Sequence, residues 1–243
     1  MRTSVPDTSA RIVGISSMAT RLVLAELAAA YRQQGGAGLA AEVAFESVGG
    51  VDAAKRVQAG EAFDLVVLAA EAIDTLTAAG RVVAGSRTDL VRSAVAIAVR
   101  AAQFDGPRPD IGSEDTLQRA VLAARSIGYS TGPSGTALLK LFERWGIADH
   151  LRSRIVQAPP GVPVGQLVAD GKVELGFQQY SEMMNQPGIS VLGTMPSGCE
   201  IVTTFSAGVC AATKQPEAVR ALLTFMHSPA ADDAKRCQGM EPA

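Results

Sequence analysis

Two periodicities alternate along the chain. Short runs of period two, or wholly apolar runs, read as strands, and longer stretches with apolar residues three or four apart read as helices. Residues 11–15 read as a strand, and 20–33 follow as a helix with Leu22, Leu24, Leu27, Ala30 and Tyr31 on one face. The stretch 41–46 alternates Val43 and Phe45 with polar neighbours, and Gly49-Gly50 opens a helix that ends near Gly60. Residues 64–69 are almost continuously apolar, as expected of a strand buried on both faces of a parallel sheet; a helix over 70–79 follows. Further strands are predicted over 93–100, 127–129, 155–157, 174–177, 189–192 and 201–212. Helices are predicted over 136–145, 162–170 and 216–227, with a shorter one after it. Ser113 has the side chain of a helix N-cap, and residues 103–110 form a Pro/Gly-rich loop. This alternation predicts an α/β fold of βαβ units around mainly parallel sheets.

Composition narrows the class. Of 243 residues, 47% are hydrophobic and 19% charged, which supports a real core and argues against disorder. Lys plus Arg total 22 against 24 Asp plus Glu, a net charge of −2 with no basic run, so no nucleic-acid partner is expected. No stretch approaches the roughly 20 apolar residues that cross a bilayer, so no membrane insertion is expected. The start lacks the apolar core of a secretory signal. That predicts a cytoplasmic protein as the sequence stands, or a periplasmic one if a signal was removed. Cys199, Cys210 and Cys237 are too few and too spread for a disulfide framework and read as buried, inert thiols. With His150 and His227 as the only histidines, no metal site is expected.

The polar turns carry the chemistry. Ligands of open α/β sheets bind beyond the carboxyl ends of the strands. Five strand ends carry small hydrogen-bonding or Gly/Pro-rich turns. The first holds Ser16, Ser17, Met18 and Thr20, and the second Ser47, Gly49 and Gly50. The third holds Ser130, Thr131, Gly132, Pro133, Ser134 and Gly135. The fourth ends in Val162-Pro163, and the fifth is Gln178-Gln179. Three of them lead into helices, whose N-termini offer unpaired N–H groups and partial positive charge to an anion. The third turn lacks the Gly-Lys-Ser/Thr ending of a phosphate loop, and Lys140 comes a turn too late, so no nucleotide cofactor is expected. Gly132-Pro133-Ser134-Gly135 does not fit a nucleophile elbow either. Phe142 and Trp145 sit at helical spacing and read as core; Lys55 and Arg56 read as surface ion-pair partners.

At these turns the sequence resembles the type II periplasmic solute-binding proteins, in their molybdate-binding branch, from Arg11 to Pro242. The resemblance implies two lobes with a ligand cleft between them. Lobe 1 would comprise residues 10–99 plus 202–243 and lobe 2 residues 100–201, after a polar tail at 1–9. The chain would cross near Ala98–Ala102 and return near Ile201–Ala207. It also implies that Ser16 or Ser17, Ser47, the turn from Ser130 to Gly135, Val162-Pro163 and Gln178-Gln179 enclose an anion without salt bridges. The branch usually places a tyrosine in the fifth loop, where this chain has Phe177-Gln178-Gln179-Tyr180. That departure looks more like a divergent subgroup with aconitate-isomerase-like members, which makes a polycarboxylate at least as fitting as molybdate.

Two functions follow. The first is a binding protein that traps a small oxyanion or polycarboxylate by lobe closure, as a monomer, and serves an ABC transporter if exported. The second is an isomerase acting on a tricarboxylate such as aconitate, which needs a group to abstract one carbon-bound proton and return another. Glu46 and Glu182 are candidate bases, and Arg21 a candidate carboxylate anchor.

Overall fold

The computed structural model describes residues 11–34, 42–101 and 108–243. The expected tail at 1–9, the strand start at Ala41, the crossing residue Ala102 and positions 103–107 of the Pro/Gly-rich loop lie outside the described residues.

β1 (Ile12–Ser17) passes through a 3-10 turn, Met18–Thr20, into α1 (Arg21–Gln34). Then come β2 (Val43–Val48), α2 (Gly50–Gln58), β3 (Leu65–Ala69) and α3 (Ala70–Ala78). The long β4 (Thr88–Arg100) starts several residues before its predicted position, because Thr88 to Ala94 already pair along another strand. The second half contains α4 (Glu114–Ala123), β5 (Ile127–Tyr129), α5 (Pro133–Arg144), α6 (Ala148–Leu151) and β6 (Ile155–Gln157). It continues with α7 (Val164–Ala169), β7 (Leu175–Gln179), α8 (Tyr180–Met183) and β8 (Ile189–Thr194). The chain returns through β9 (Val202–Val209) and ends with α9 (Pro216–His227), α10 (Asp232–Cys237) and the short β10 (Glu241–Pro242).

Two kinds of local difference from expectation have plain causes. α5 begins at Pro133 rather than Thr136, because proline at the first helical position needs no N–H partner there. α6 and α8 have four residues each, too few for a helical period to show. The Ser113 cap is as expected: its Oγ accepts from Thr116 N at 3.2 Å, while Thr116 Oγ1 accepts from Ser113 N at 3.0 Å.

The strands hydrogen-bond in the order β2-β1-β3-β9-β4-β7-β5-β6. The outer pairs β1–β2, β1–β3, β5–β6 and β5–β7 are parallel, as the alternation predicts. The centre is antiparallel, because β4 and β9 cross between the two halves in opposite directions. The whole is therefore a mixed sheet. β4 changes partners within itself: Ala94 pairs with Val202 of β9, and Val95 with Gln179 of β7. β4 thus passes from a strand of the first half to one of the second between Ala94 and Val95.

Strand alternation divides each half into two layers. In β3, Leu65 and Val67 join Ile12, Leu24, Leu27, Leu222 and Met226 on one face. Val66 and Leu68 join Ile15, Val57, Phe63 and Ile73 on the other. In β4, Val95, Ile97 and Val99 face Leu117, Leu138, Phe142 and Phe177, while Ala96 and Ala98 face Val164, Val168 and Met183. Each fully buried aliphatic side chain stabilises the fold by about 1.5–3 kcal/mol. Helices on both faces explain why β3 is apolar at every position.

The cysteines differ in part from expectation. Cys199 and Cys210 are buried free thiols, and burial pushes them up to about 11 and about 12. Cys237 is exposed, because it ends the surface helix α10.

Candidate functional site

The carboxyl ends of β1, β2, β5 and β7 converge on one cleft. The first half contributes Ser17, Met18 and Ala19 after β1, with Gly49 and Gly50 after β2. The second contributes Ser130 to Ser134 after β5, Ala158 and Pro159 after β6, Gly161 to Pro163 before α7, and Gln178, Gln179 and Glu182. Phe205 of β9 closes the back wall. The enclosed space is about 100 Å³, below the roughly 300–1,000 Å³ typical for drug-sized ligands. It suits a small ligand.

Each turn has a local reason for its shape. At the end of β1, Thr20 is fully buried and its Oγ1 donates to the Ser17 carbonyl at 3.1 Å, which holds the 3-10 turn. Ser16 is also fully buried, and its Oγ lies 2.9 Å from Ser47 Oγ across the β1–β2 ladder. Ser16, Thr20 and Ser47 therefore brace the wall from behind, and Ser17 reaches the cleft. A Cβ at Gly50 would sit in ordinary contact, 3.5 Å from Ser17 Cβ, so the start of α2 lies directly beside this turn. In the second half, Ser130 Oγ and Ser134 Oγ are 2.9 Å apart across the first turn of α5. Gly135 lies beneath that turn and does not line the cleft. α2 and α5 both direct their positive ends at the space between the halves.

The fifth turn holds the cleft's one ionisable side chain among the described lining residues. Gln178 Oε1 accepts from Gly165 N at 3.3 Å, and Gln178 Nε2 donates to Glu182 Oε1 at 2.8 Å. Burial pushes the Glu182 carboxyl up to about 7, with the Gln178 hydrogen bond pulling the other way. A carboxyl raised in this way holds its proton in the fold but not in the unfolded chain. Its unfavourable contribution therefore grows as pH rises from the ordinary carboxyl range, and is complete above about 7. Gln179 Nε2 donates to Thr203 Oγ1 at 2.8 Å, and its Oε1 is buried with no partner. No lysine, arginine or histidine is among the described lining residues.

Two candidate catalytic residues are placed elsewhere. Glu46 precedes Ser47 on a strand, so it points to the opposite side from the Ser16–Ser47 contact. There it is an exposed ion-pair partner of Arg56, at 2.5 Å, and that guanidinium holds its carboxyl below the usual range. Arg56 also bonds Glu61, at 2.5 Å, which accounts for this helix's basic residue as a surface partner. Arg21 is exposed at the start of α1 and does not line the cleft. Conversely, sequence reasoning missed Ala158 and Phe205. Phe205 lies in a strand of mixed character, Val202–Val209, where no turn signal marks it, and only its place in the crossing strand puts it at the cleft. Among the described residues, no cluster of His, Cys, Asp and Glu could hold a metal, and no helix is long and apolar enough to cross a membrane.

The architecture has known relatives. The structure is similar to the periplasmic molybdate-binding protein of Azotobacter vinelandii, with a TM-score of 0.75 and 19% identity over 95% of this chain and 98% of that one. It is similar to the sulfate-binding protein of Mycobacterium tuberculosis, with a TM-score of 0.73 and 16% identity over 96% of this chain and 87% of the other. At these identities the likeness is one of fold. In sequence, the chain is 35% identical to an aconitate isomerase from a Pseudomonas species over 152 residues, or 62% of this chain. The match spans 56% of that relative's length. A family model described as bacterial extracellular solute-binding protein matches residues 12–241. With nearly the whole described chain covered, this protein belongs to the bacterial extracellular solute-binding protein family.

Proposed function

We propose that the cleft binds a small, multiply charged anion, an oxyanion or a polycarboxylate, as a solute-binding domain, through neutral donors alone. One observation carries this reading. The walls combine the hydroxyls of Ser17, Ser130, Thr131 and Ser134 with the starts of α2 and α5, and the described lining residues include no cationic side chain. Hydroxyls and helix N-termini supply hydrogen bonds and partial positive charge without a fixed counter-ion. Closure of the halves about β4 and β9 would complete the enclosure. The protein would act as a monomer, since closure needs no second copy, and would deliver its ligand to an ABC transporter if exported.

The test is a thermal-unfolding screen against molybdate, tungstate, sulfate, citrate and both aconitates. A true ligand at a hundred times its dissociation constant adds about 2.7 kcal/mol of stability and moves the melt upward. If none of these anions shifts the transition at millimolar concentration, the reading is wrong.

A second reading has its own support. Glu182 is a half-buried carboxyl on the cleft wall, pushed up to about 7, and the 35% identical relative is an aconitate isomerase. Such a group suits proton transfer at ordinary pH. As carboxylate, Glu182 would take a proton from one carbon of the tricarboxylate while the double bond shifts, and the other end of the allylic system would receive a proton. The absorbance of trans-aconitate under catalytic amounts of protein decides it: a steady change means turnover, and a flat trace means binding alone.

A further inference from the structure

We propose that Glu182 meets the bound anion as a neutral hydrogen-bond donor, so that ligand uptake carries a proton with it. This inference rests on the anion-binding reading above and adds the proton to it.

The geometry assigns the two carboxyl oxygens different tasks. The Gly165 N–H can only donate, so the Gln178 atom that meets it, at 3.3 Å, must be the amide oxygen. That orientation turns the Gln178 NH₂ toward Glu182, where it donates to Oε1 at 2.8 Å. Oε1 is thereby committed as an acceptor, and a proton on the group resides on Oε2. A buried carboxylate beside an anion would oppose it, whereas a protonated Oε2 offers an anion one more donor. The described lining residues include no cation to reverse that preference.

Among the described residues, no charged group on the elements packed most closely against α8 competes for the role. α8 packs on β4, β7 and the Met18–Thr20 turn. The last two carry no titratable side chain. The charged residues of β4 are engaged elsewhere: Asp89 with Arg87 and Ser206, Arg92 with the Pro242 carbonyl, and Arg100 beside Gly171. Tyr180, on α8 itself, packs against Gly239. The upward displacement of the Glu182 carboxyl, to about 7, comes from burial and from no neighbouring charge. An incoming anion would push it further in the same direction.

The experiment is titration calorimetry of the full chain with sulfate, molybdate and trans-aconitate, each fully ionised between about pH 6 and about pH 9. For whichever of them binds, affinity should be constant at the acid end. It should fall about tenfold per pH unit above the free carboxyl's titration. Runs in two buffers of different ionisation enthalpy should show uptake approaching one proton per site at about pH 8. Glu182→Gln reproduces the neutral group, with an oxygen for Gln178 and an NH₂ for the ligand. Whatever its affinity near pH 6, that variant should show no fall up to pH 9 and should take up no proton.

A parent affinity that is flat with pH and takes up no proton overturns the proposal, as does a folded E182Q whose affinity still falls with pH as the parent's does. If E182Q fails to fold, the proton count of the parent decides alone. If none of the three anions binds at any pH, the anion reading itself falls and takes this inference with it; binding without proton uptake removes only the inference.

Discussion

Gly135→Ala is expected to cost the protein about 1–3 kcal/mol or more of stability, and to weaken anion binding at least about a hundredfold, the equivalent of roughly 2.7 kcal/mol. The reason is contact alone. The backbone of Gly135 is ordinary helix, where alanine would normally be favoured over glycine by about 0.5–1 kcal/mol. Its added Cβ, however, would lie 1.9 Å from the Ser130 carbonyl oxygen and 3.0 Å from both Ser130 C and Tyr129 Cδ2. The first is a backbone atom at the end of β5, so relief requires the turn to move away from α5. That movement separates Ser130 from Ser134 and spoils the cleft wall. Urea unfolding and the anion-induced melting shift read the two effects separately. Gly132→Ala is the control for stability: no protein atom lies within 4 Å of its added Cβ, so the urea midpoint should stay near the parent value.

Phe142→Ala should remove about 3–5 kcal/mol by leaving a cavity in the second half. Phe142 is 1% exposed. Its ring centroid lies 6.0 Å from that of Trp145 and 6.3 Å, edge-on, from that of Phe177. Domains of this kind have a total stability of about 5–15 kcal/mol, so the loss is a large share. Phe177 immediately precedes Gln178 and Gln179, which gives the substitution a second, smaller effect on ligand affinity. Chemical denaturation should show the midpoint falling with little change in slope. A stability loss under about 1 kcal/mol would mean that the aromatic cluster collapses to fill the space.

Much of this was legible in the residues. The apolar run from Leu65 to Ala69 predicts a strand covered on both faces, and it is one. The polar turns were visible because Ser, Thr, Gly and Pro crowd at strand ends, and the structure brings parts of all five to one cleft. What stayed hidden depends on direction rather than composition. Glu46 and Ser47 are neighbours in sequence, yet strand alternation sends one to Arg56 at the surface and the other to Ser16 inside. Ser16 and Thr20 are polar enough for ligand contact but are used up in bracing the turn. Phe205 gave no signal, since an aromatic residue within a strand looks the same whether it faces core or cleft. Glu182 was nameable, but its burial and its bond from Gln178 were not, because α8 is a single turn.

The position of β9 bears on how the protein is made. It lies between β3 and β4, yet it follows the entire second half in sequence. As the chain leaves the ribosome, β1 to β3 must wait for their middle neighbour while about 130 further residues are synthesised, at roughly 5–20 residues per second. In that interval the edge of β3 that will pair with Val209 to Phe205 stays open, a template for stray strands. The second half has all its strands by Thr194 and can close first. Proteolysis of ribosome-stalled chains ending just before Val202 should leave the second half protected and β1–β3 cut; protection of both would mean that the first half closes without its central strand. Birth order thus runs opposite to chain order: the segment begun first is the last to become safe from aggregation.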